Sequence, residues 1–430
     1  MRLFDRAFQK LIKQGELIVT DVRGREYRYG SPYPGRAPVH VRFTDKSTPR
    51  KIVLAPSLGA GEAYMDGRML LERGDIFDLL DLVTWNNRFE TRPDQKNLEA
   101  RTRLPGDPFG WLRTYNQERR SKRNVAHHYD LSSRLYDLFL DADRQYSCAY
   151  FTERDNSLEQ AQLDKKAHIA AKLYLKPGQR VLDIGCGWGG MALYLNRVAD
   201  VDVLGITLSE EQLKVARRRA EEAGVADRVR FKLIDYRHLD GPFDRIVSVG
   251  MFEHVGAAHY EEFYAKCREL LTDDGVMLLH TIGKLGGAGQ PDPFTDKWIF
   301  PGYHLPSLSQ MSSGSEKVRL IASDIETLRL HYAYTLREWL KRFTAARAKV
   351  VELYDERFFR MWEFYLAGGI VMFESGAACN YQVQYIRDRN ALPITRDYMA
   401  EAEQRYRKLG AAPAKGDANR KKTVAPEPVK

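Results

Sequence analysis

Val181-Leu182-Asp183-Ile184 reads as a buried strand, and it runs straight into Gly185-Cys186-Gly187-Trp188-Gly189-Gly190, a glycine turn that opens a helix. Four glycines in six residues bring a ligand close to bare backbone. Gly185, Gly187 and Gly190 satisfy G-x-G-x-x-G, the pattern that seats a pyrophosphate on a helix N-terminus. The neighbours discriminate. A dinucleotide site expects an acid ~20 residues further on, at the end of the second strand, to hold a ribose hydroxyl. Here that strand ends Gly205-Ile206-Thr207-Leu208-Ser209, with Thr207 in the acid's place. Asp183, two residues before the first glycine, instead offers a carboxylate that suits a cationic ligand or a hydrogen-bond donor and repels a pyrophosphate.

Two more polar side chains stand beyond the carboxyl ends of strands, where sheets of alternating strand and helix collect their ligands. Glu253 follows the fourth strand, IVSVGMFEH, and His280 ends the fifth, VMLLHTIG. A carboxylate there suits acid–base work, while a core histidine satisfied by its neighbours is the plain alternative for His280. Ser209-Glu210-Glu211-Gln212 is a capping box, Ser209 as N-cap and Gln212 reaching back, which explains that spacing without a ligand. Cys148 reads as an inert buried thiol, because no base is paired with it in sequence. The four cysteines (Cys148, Cys186, Cys267, Cys379) form no C-x-x-C pair and no Cys/His zinc spacing, so neither disulfides nor a metal site is expected.

The D-I-G-C-G-W-G stretch resembles the first motif of class I S-adenosylmethionine-dependent methyltransferases. Ala126-His127-His128-Tyr129-Asp130, Tyr146-Ser147-Cys148-Ala149-Tyr150-Phe151 and Phe252-Glu253-His254-Val255-Gly256 are unusual. With LLHTIG at 278–283 and HYAYTL at 331–336, they resemble cyclopropane-fatty-acyl-phospholipid synthases and mycolic-acid cyclopropane synthases over roughly residues 118–390. Gly59 to Gly67 looks like part of the small extra domain that phospholipid-acting members carry. The resemblance implies an S-adenosylmethionine pocket at Tyr146, Ser147, Asp183, Gly185, Gly187, Thr207, Gln212, Tyr236 and Arg237, and a catalytic bicarbonate site at Cys148, Glu253, His280 and Tyr332. Methyl transfer from a sulfonium to an alkene generates a carbocation, and ring closure then requires loss of a proton from the new methyl group. A bicarbonate positioned by Glu253, His280 and Tyr332 can take that proton.

The implied activity is formation of a cyclopropane on an unsaturated acyl chain of a membrane phospholipid. Gly369 stands where the family pattern Y-L-x-x-C-x-x-x-F has its cysteine, so a methyl-branched product, or another unsaturated small molecule as substrate, is the first alternative. A non-catalytic lipid-binding protein on the same scaffold is the second; retention of every suspected anion ligand argues against it.

The elements that must hold these residues follow from periodicity. From Val181 onward, strands alternate with helical stretches, which predicts βαβ units and a parallel sheet covered on both faces: an α/β, Rossmann-like methyltransferase fold with a small N-terminal α+β domain. The expected divisions are a lipid- or membrane-associated domain over 1–90, a linker over 91–124, the methyltransferase domain over 125–408 and a disordered tail over 409–430. The charge run RRRAEE at 217–222 reads as a solvated helix face. An aromatic helical region extends from about Leu336 to Phe373, and Phe358, Phe359, Trp362, Phe364, Tyr365 and Phe373 are either core or the lining of an acyl channel.

Length and composition bound the rest. At 430 residues, 43% hydrophobic and 29% charged, the chain is an ordinary globular protein of two or three domains rather than a disordered, collagen-like or coiled-coil one. Lys and Arg total 67 against 58 Asp and Glu, a net charge of +9. With the basic cluster Arg119, Arg120, Lys122 and Arg123, this suits an anionic surface, without the concentration of a nucleic-acid arm, so no nucleic acid is expected. The start lacks the features of a signal peptide and no apolar run approaches the ~20 residues of a membrane span. A cytoplasmic protein bound peripherally to the membrane is expected, its partners an unsaturated phospholipid and, as an open alternative, a second copy of the chain.

Overall fold

Alternation of buried and part-buried residues in the first short strands makes each of them a one-faced ribbon that must lie against something apolar. The computed structural model describes residues 1–91 and 133–411. Apart from Thr91, the expected linker, the 119–123 basic cluster and the 126–130 motif lie outside the described residues, as does the tail beyond Ala411. The N-terminal part runs α1 (Arg2–Leu11), β1 (Gly15–Thr20), β2 (Glu26–Ser31), β3 (Val39–Phe43), α2 (Thr48–Leu54), α3 (Pro56–Met65), β4 (Met69–Arg73) and α4 (Ile76–Trp85). Its four strands form a sheet in the order β2-β1-β3-β4, with β1 and β3 parallel and the outer pairings antiparallel. Phe4 and Phe8 stack at 3.9 Å on one stripe of α1, and Asp75 and Asp78 close a capping box at the start of α4.

The remainder runs α5 (Ser133–Tyr136), α6 (Leu158–Lys172), β5 (Arg180–Ile184), α7 (Gly190–Ala199), β6 (Asp202–Thr207), α8 (Glu210–Glu222), β7 (Val229–Leu233), β8 (Phe243–Val249), α9 (Tyr260–Leu270) and β9 (Leu271–Lys284). Then come α10 (Pro293–Trp298), α11 (Leu308–Lys317), β10 (Ile321–Leu328), α12 (His331–Ala345), α13 (Arg347–Leu353), α14 (Glu356–Glu374), β11 (Ala378–Ile386) and α15 (Asp397–Ala411). Seven strands order as β10-β11-β9-β8-β5-β6-β7. Successive residues of the central strands feed opposite cores: Val181, Val203, Val247 and Leu278 pack with α6, α7 and α8, while Leu182, Ile206, Ile246 and Leu279 pack with α9 and α11. The expected α/β fold with both faces covered is present.

The sheet is not wholly parallel. β11 runs antiparallel between β9 and β10, and its pairing with β9 through Lys284 carries that strand past His280, which therefore sits inside β9 rather than at its end. His280 is nonetheless level with Val249, the last residue of β8, so it still faces the ligand edge of the parallel strands. The aromatic region divides into α12, α13 and α14, the last capped by the Asp355 side chain, which accepts from the Phe358 N–H at 2.6 Å.

The N-terminal sheet and the C-terminal helices bury one continuous core, in which Phe4, Leu17, Phe43 and Leu79 join Phe294, Trp339, Trp362 and Phe364. Gly61 of α3 lies directly on the rings of Phe294 and Phe364, so this contact admits no side chain. Gly61→Leu is expected to destabilise the protein by about 1–3 kcal/mol through overpacking. Gly368→Ala on α14, where an added methyl group meets nothing within 4 Å, should raise the thermal midpoint by removing a helix-interior glycine. Thermal unfolding of the two variants checks both signs.

Candidate active site

Between α5 and α6 the chain crosses the ligand edge of the sheet as a strap, Asp141 to Phe151, without secondary structure of its own, and neighbouring side chains hold its backbone. Gln162 Nε2 donates to the carbonyls of Gln145 (3.1 Å) and Ser147 (3.0 Å), Thr335 Oγ1 accepts from the Ala149 N–H (3.0 Å), and His331 Nδ1 accepts from the Phe151 N–H (3.0 Å). Tyr150 stacks between His168 and His331 at 4.1 and 4.8 Å. Beneath the strap, the wholly buried Lys165 donates to Gln145 Oε1 (2.7 Å) and Ser147 Oγ (2.8 Å); burial lowers this ammonium to about 8.

Two cavities open on either side of this strap. The first, of ≈ 160 Å³, is lined by all nine residues expected to hold the cofactor: Tyr146, Ser147, Asp183, Gly185, Gly187, Thr207, Gln212, Tyr236 and Arg237. The second, of ≈ 640 Å³, is lined by Cys148, Glu253, His280 and Tyr332 and otherwise by mostly apolar side chains. Tyr146, Ser147, Gly250 and His254 line both, so the cavities meet at these four residues.

The glycines of the loop do different work. Gly187, at φ +53°, has nothing within 4 Å of an added Cβ and faces the first cavity, whereas Gly189 is backed by Phe231 and Ala216, and Gly190 by Gln145 and Asp143. Ligand approach therefore requires Gly187, and packing requires the glycines after it. Asp183 is buried, its Oδ2 has no hydrogen-bond partner among the described residues, and burial pushes it up to about 7. An unpartnered buried carboxylate aligned with an open glycine fits a cationic ligand such as a sulfonium. Thr207 Oγ1 donates to Gln212 Oε1 at 2.9 Å. The Ser209 side chain caps α8 as expected, but that bond to Thr207 takes the Gln212 side chain, so the reciprocal half of the capping box does not form. Arg237 is clamped on Asp235 (Nη2 to Oδ2, 2.7 Å), a cavity-lining carboxylate that the motif comparison passed over beside Tyr236.

The charge run at 217–222 is also not simply solvated. Arg217 donates to the Phe231 carbonyl (3.0 Å), while Arg219 donates to the Trp188 carbonyl (2.8 Å) and pairs with Asp143, which Lys166 also holds at 2.5 Å. Arg218 keeps to the surface with Glu222. The run thus ties the glycine loop to the strap.

In the second cavity, Glu253 Oε1 accepts from the Ile282 N–H at 2.7 Å, while Oε2 is buried without a hydrogen-bond partner among the described residues, and burial raises this carboxyl to about 7. His280 Nε2 lies 3.0 Å from the Asn380 amide and Nδ1 3.0 Å from that of Gln382, and burial holds the ring neutral. A neutral imidazole accepts at one nitrogen only, so one of these two amide NH2 groups of β11 donates to the ring while the other packs against its N–H. Cys148 is fully buried, its thiol pushed far above the thiolate range, and Sγ–H donates to the Ala149 carbonyl at 3.3 Å; this is no nucleophile. Burial holds His254, at the junction, neutral, lowered to about 4. Of the six aromatics considered for a channel, Phe364, Tyr365 and Phe373 line the cavity, while Phe358, Phe359 and Trp362 pack behind it.

The family description "Mycolic acid cyclopropane synthetase" matches residues 116–383. The chain belongs to that family. Cyclopropane-fatty-acyl-phospholipid synthase of Escherichia coli K12 is 38% identical over 372 residues, covering 86% of this chain and 94% of that protein. The structure of the cyclopropane synthase MmaA2 from Mycobacterium tuberculosis superposes with a TM-score of 0.59 at 33% identity, covering 61% of this chain and 97% of that one. Mycolic acid cyclopropane synthase CmaA1 complexed with SAH and CTAB gives 0.59 at 35% identity, with 61% and 97% covered. The protein is an S-adenosylmethionine-dependent methyltransferase with the class I fold of this family.

Two outcomes follow from the first cavity. Gly187→Ala places a methyl group in its open space and should weaken S-adenosylmethionine binding at least tenfold by calorimetry, at a stability cost of about 1–2 kcal/mol from the left-handed backbone. Asp183 is raised in the folded state, so its ionisation opposes folding from its unfolded value of 3.8 up to about 7. Asp183→Asn should therefore stabilise the ligand-free protein by on the order of 2 kcal/mol at pH 8, an advantage that shrinks as the pH falls toward 4, while weakening the cofactor. Thermal midpoints across pH, with and without S-adenosylmethionine, measure both effects.

Proposed function

We propose that this enzyme converts the double bond of an unsaturated acyl chain in a membrane phospholipid into a cyclopropane, using bound bicarbonate as proton acceptor. The observation that carries this reading is the junction: a cavity fitted to a small cationic ligand and a larger apolar cavity share Tyr146, Ser147, Gly250 and His254. When bound, S-adenosylmethionine supplies the methyl group and bicarbonate the base. Tyr146, Ser147, Asp183, Gly185, Gly187, Thr207, Gln212, Tyr236 and Arg237 would hold the first, and Cys148, Glu253, His280 and Tyr332 the second.

The donor set suits a small anion. Glu253, raised to about 7, can keep a proton on Oε2 near neutral pH and offer it as a hydrogen bond, while the Ile282 N–H holds Oε1. His280 is a neutral ring flanked by the Asn380 and Gln382 amides, and the Cys148 thiol is spent on the neighbouring backbone carbonyl, so these groups bind and orient rather than attack. The apolar wall keeps water from a cation formed on the acyl chain. The phospholipid reading is supported by the Escherichia coli relative, whose similarity extends over 86% of this chain, well beyond the catalytic sheet. We take residues 1–90 as the lipid-associated domain and 125–408 as the methyltransferase domain. No helix among the described residues is long and apolar enough to cross a membrane, and with the +9 charge we place the enzyme peripherally on a cytoplasmic membrane surface.

Gly369 supports ring closure. A Cβ at this position would stand 3.0 Å from Leu336 Cδ1, so Leu336 already fills the place of the missing cysteine and the wall is not loosened. With S-adenosylmethionine carrying a trideuterated methyl group, the main product should retain two deuterons; retention of all three would establish the methyl-branched product instead. Glu253→Ala should lower turnover ~10²–10⁴-fold and abolish any response to added bicarbonate, with S-adenosylmethionine affinity nearly unchanged. Equal turnover of the parent enzyme in bicarbonate-free and bicarbonate-containing buffer would exclude bicarbonate as the base.

A further inference from the structure

The second cavity does not end at the catalytic sheet. It continues between α10 and α14 into the N-terminal sheet and its helices, where Phe4, Leu17, Val41, Phe43, Leu79 and Val83 are among its walls. Protein interiors pack to a density of about 0.75 and rarely hold voids larger than a water molecule. An apolar hollow inside the core of so small a unit therefore marks a binding volume rather than imperfect packing. Its polarity is graded. Glu253, His280, Lys284 and Asp292 lie toward the catalytic sheet and α10, whereas among the described residues the N-terminal stretch of wall contains no charged side chain and only Ser57 and Thr84 as polar ones.

We propose that the interior of the N-terminal unit receives the methyl-terminal end of the reacting acyl chain, and that its walls set how many carbons beyond the double bond the enzyme accepts. This rests on the phospholipid reading. A chain whose double bond lies at the junction must continue past it, and the uncharged arm is the part of the cavity that can take a hydrocarbon end without stranding a polar group. The phosphate end is excluded from it by the cost of burying an unpaired charge. Val41 of β3 and Val83 of α4 are then specificity residues well removed from the chemistry.

The test uses the full-length protein and vesicles of phosphatidylethanolamine and phosphatidylglycerol with one monounsaturated and one saturated chain. A photoreactive diazirine at the terminal carbon of the unsaturated chain should label peptides of α1, β1, β3 or α4; labelling confined to residues 133–411 overturns the proposal. Independently, Val41→Phe and Val83→Phe should shift the ratio of kcat/KM at least tenfold toward lipids with fewer carbons beyond the double bond, with unchanged S-adenosylmethionine affinity showing that each variant is folded. A shift that follows the length of the saturated chain instead assigns the chamber to the other chain and overturns the proposal, as does no shift in either variant. If the parent enzyme turns over none of these lipids, the phospholipid reading itself fails, and the diazirine labelling still decides where the chain lies.

Discussion

A stretch of chain with no ladder or helix of its own separates the two cavities, and both depend on its being held still. The strap from Asp141 to Phe151 has its backbone bonded by side chains of α6 and α12, and Lys165 pins Gln145 and Ser147 from below. A buried lysine on neutral oxygens is an expensive fastening, since desolvation opposes its charge. What it secures is position: Ser147 lies on the wall that both cavities share. Catalysis by approximation tolerates displacements of well under 1 Å, which loosely tethered loops do not provide.

The same logic explains the two carboxyls with unpartnered oxygens. Asp183 and Glu253 are both buried and both raised toward neutrality. Each opposes folding once ionised, and a ligand of suitable charge or hydrogen-bonding character would restore it to favourable surroundings. Strain of this kind accumulates at functional sites and is carried by the rest of the fold. Here the carriers are visible: two hydrophobic cores flank the sheet, and a third runs from the N-terminal sheet into α12 and α14.

Much of this could be read before any coordinates. The glycine loop, its Asp183 and the order of strands that follow are local signals, and β5 to β9 fall where periodicity puts them. What escaped is non-local. In ACNYQVQYI, amides alternate with apolar residues, a pattern typical of a strand with one wet face; yet every residue of β11 is buried, because Asn380 and Gln382 face His280, and Gln384 donates to Tyr398 Oη and the Lys172 carbonyl. Lys165, in a helix segment rich in lysine, has nothing in its spacing to mark it as buried. Gln212 shows the limit from the other side: its spacing gives a capping box, and only the position of Thr207 decides that its side chain turns away.

The reversed strand β11 also governs the order in which the molecule can be made. As the chain leaves the ribosome, β9 is complete about a hundred residues before β11 exists, and β10 emerges before the strand it pairs with, since among the described residues its partner in the sheet is β11. During that interval the hydrogen-bonding edge of β9 that β11 will cover lies open, and it is flanked by one of the most apolar sequences in the protein, Val276 to Leu279. The His280 ring likewise has no Asn380 and Gln382 amides beside it until the same moment. A nascent or truncated chain can therefore assemble the glycine loop and still lack Asn380 in the wall of the larger cavity, so the two cavities mature at different times and the larger comes last.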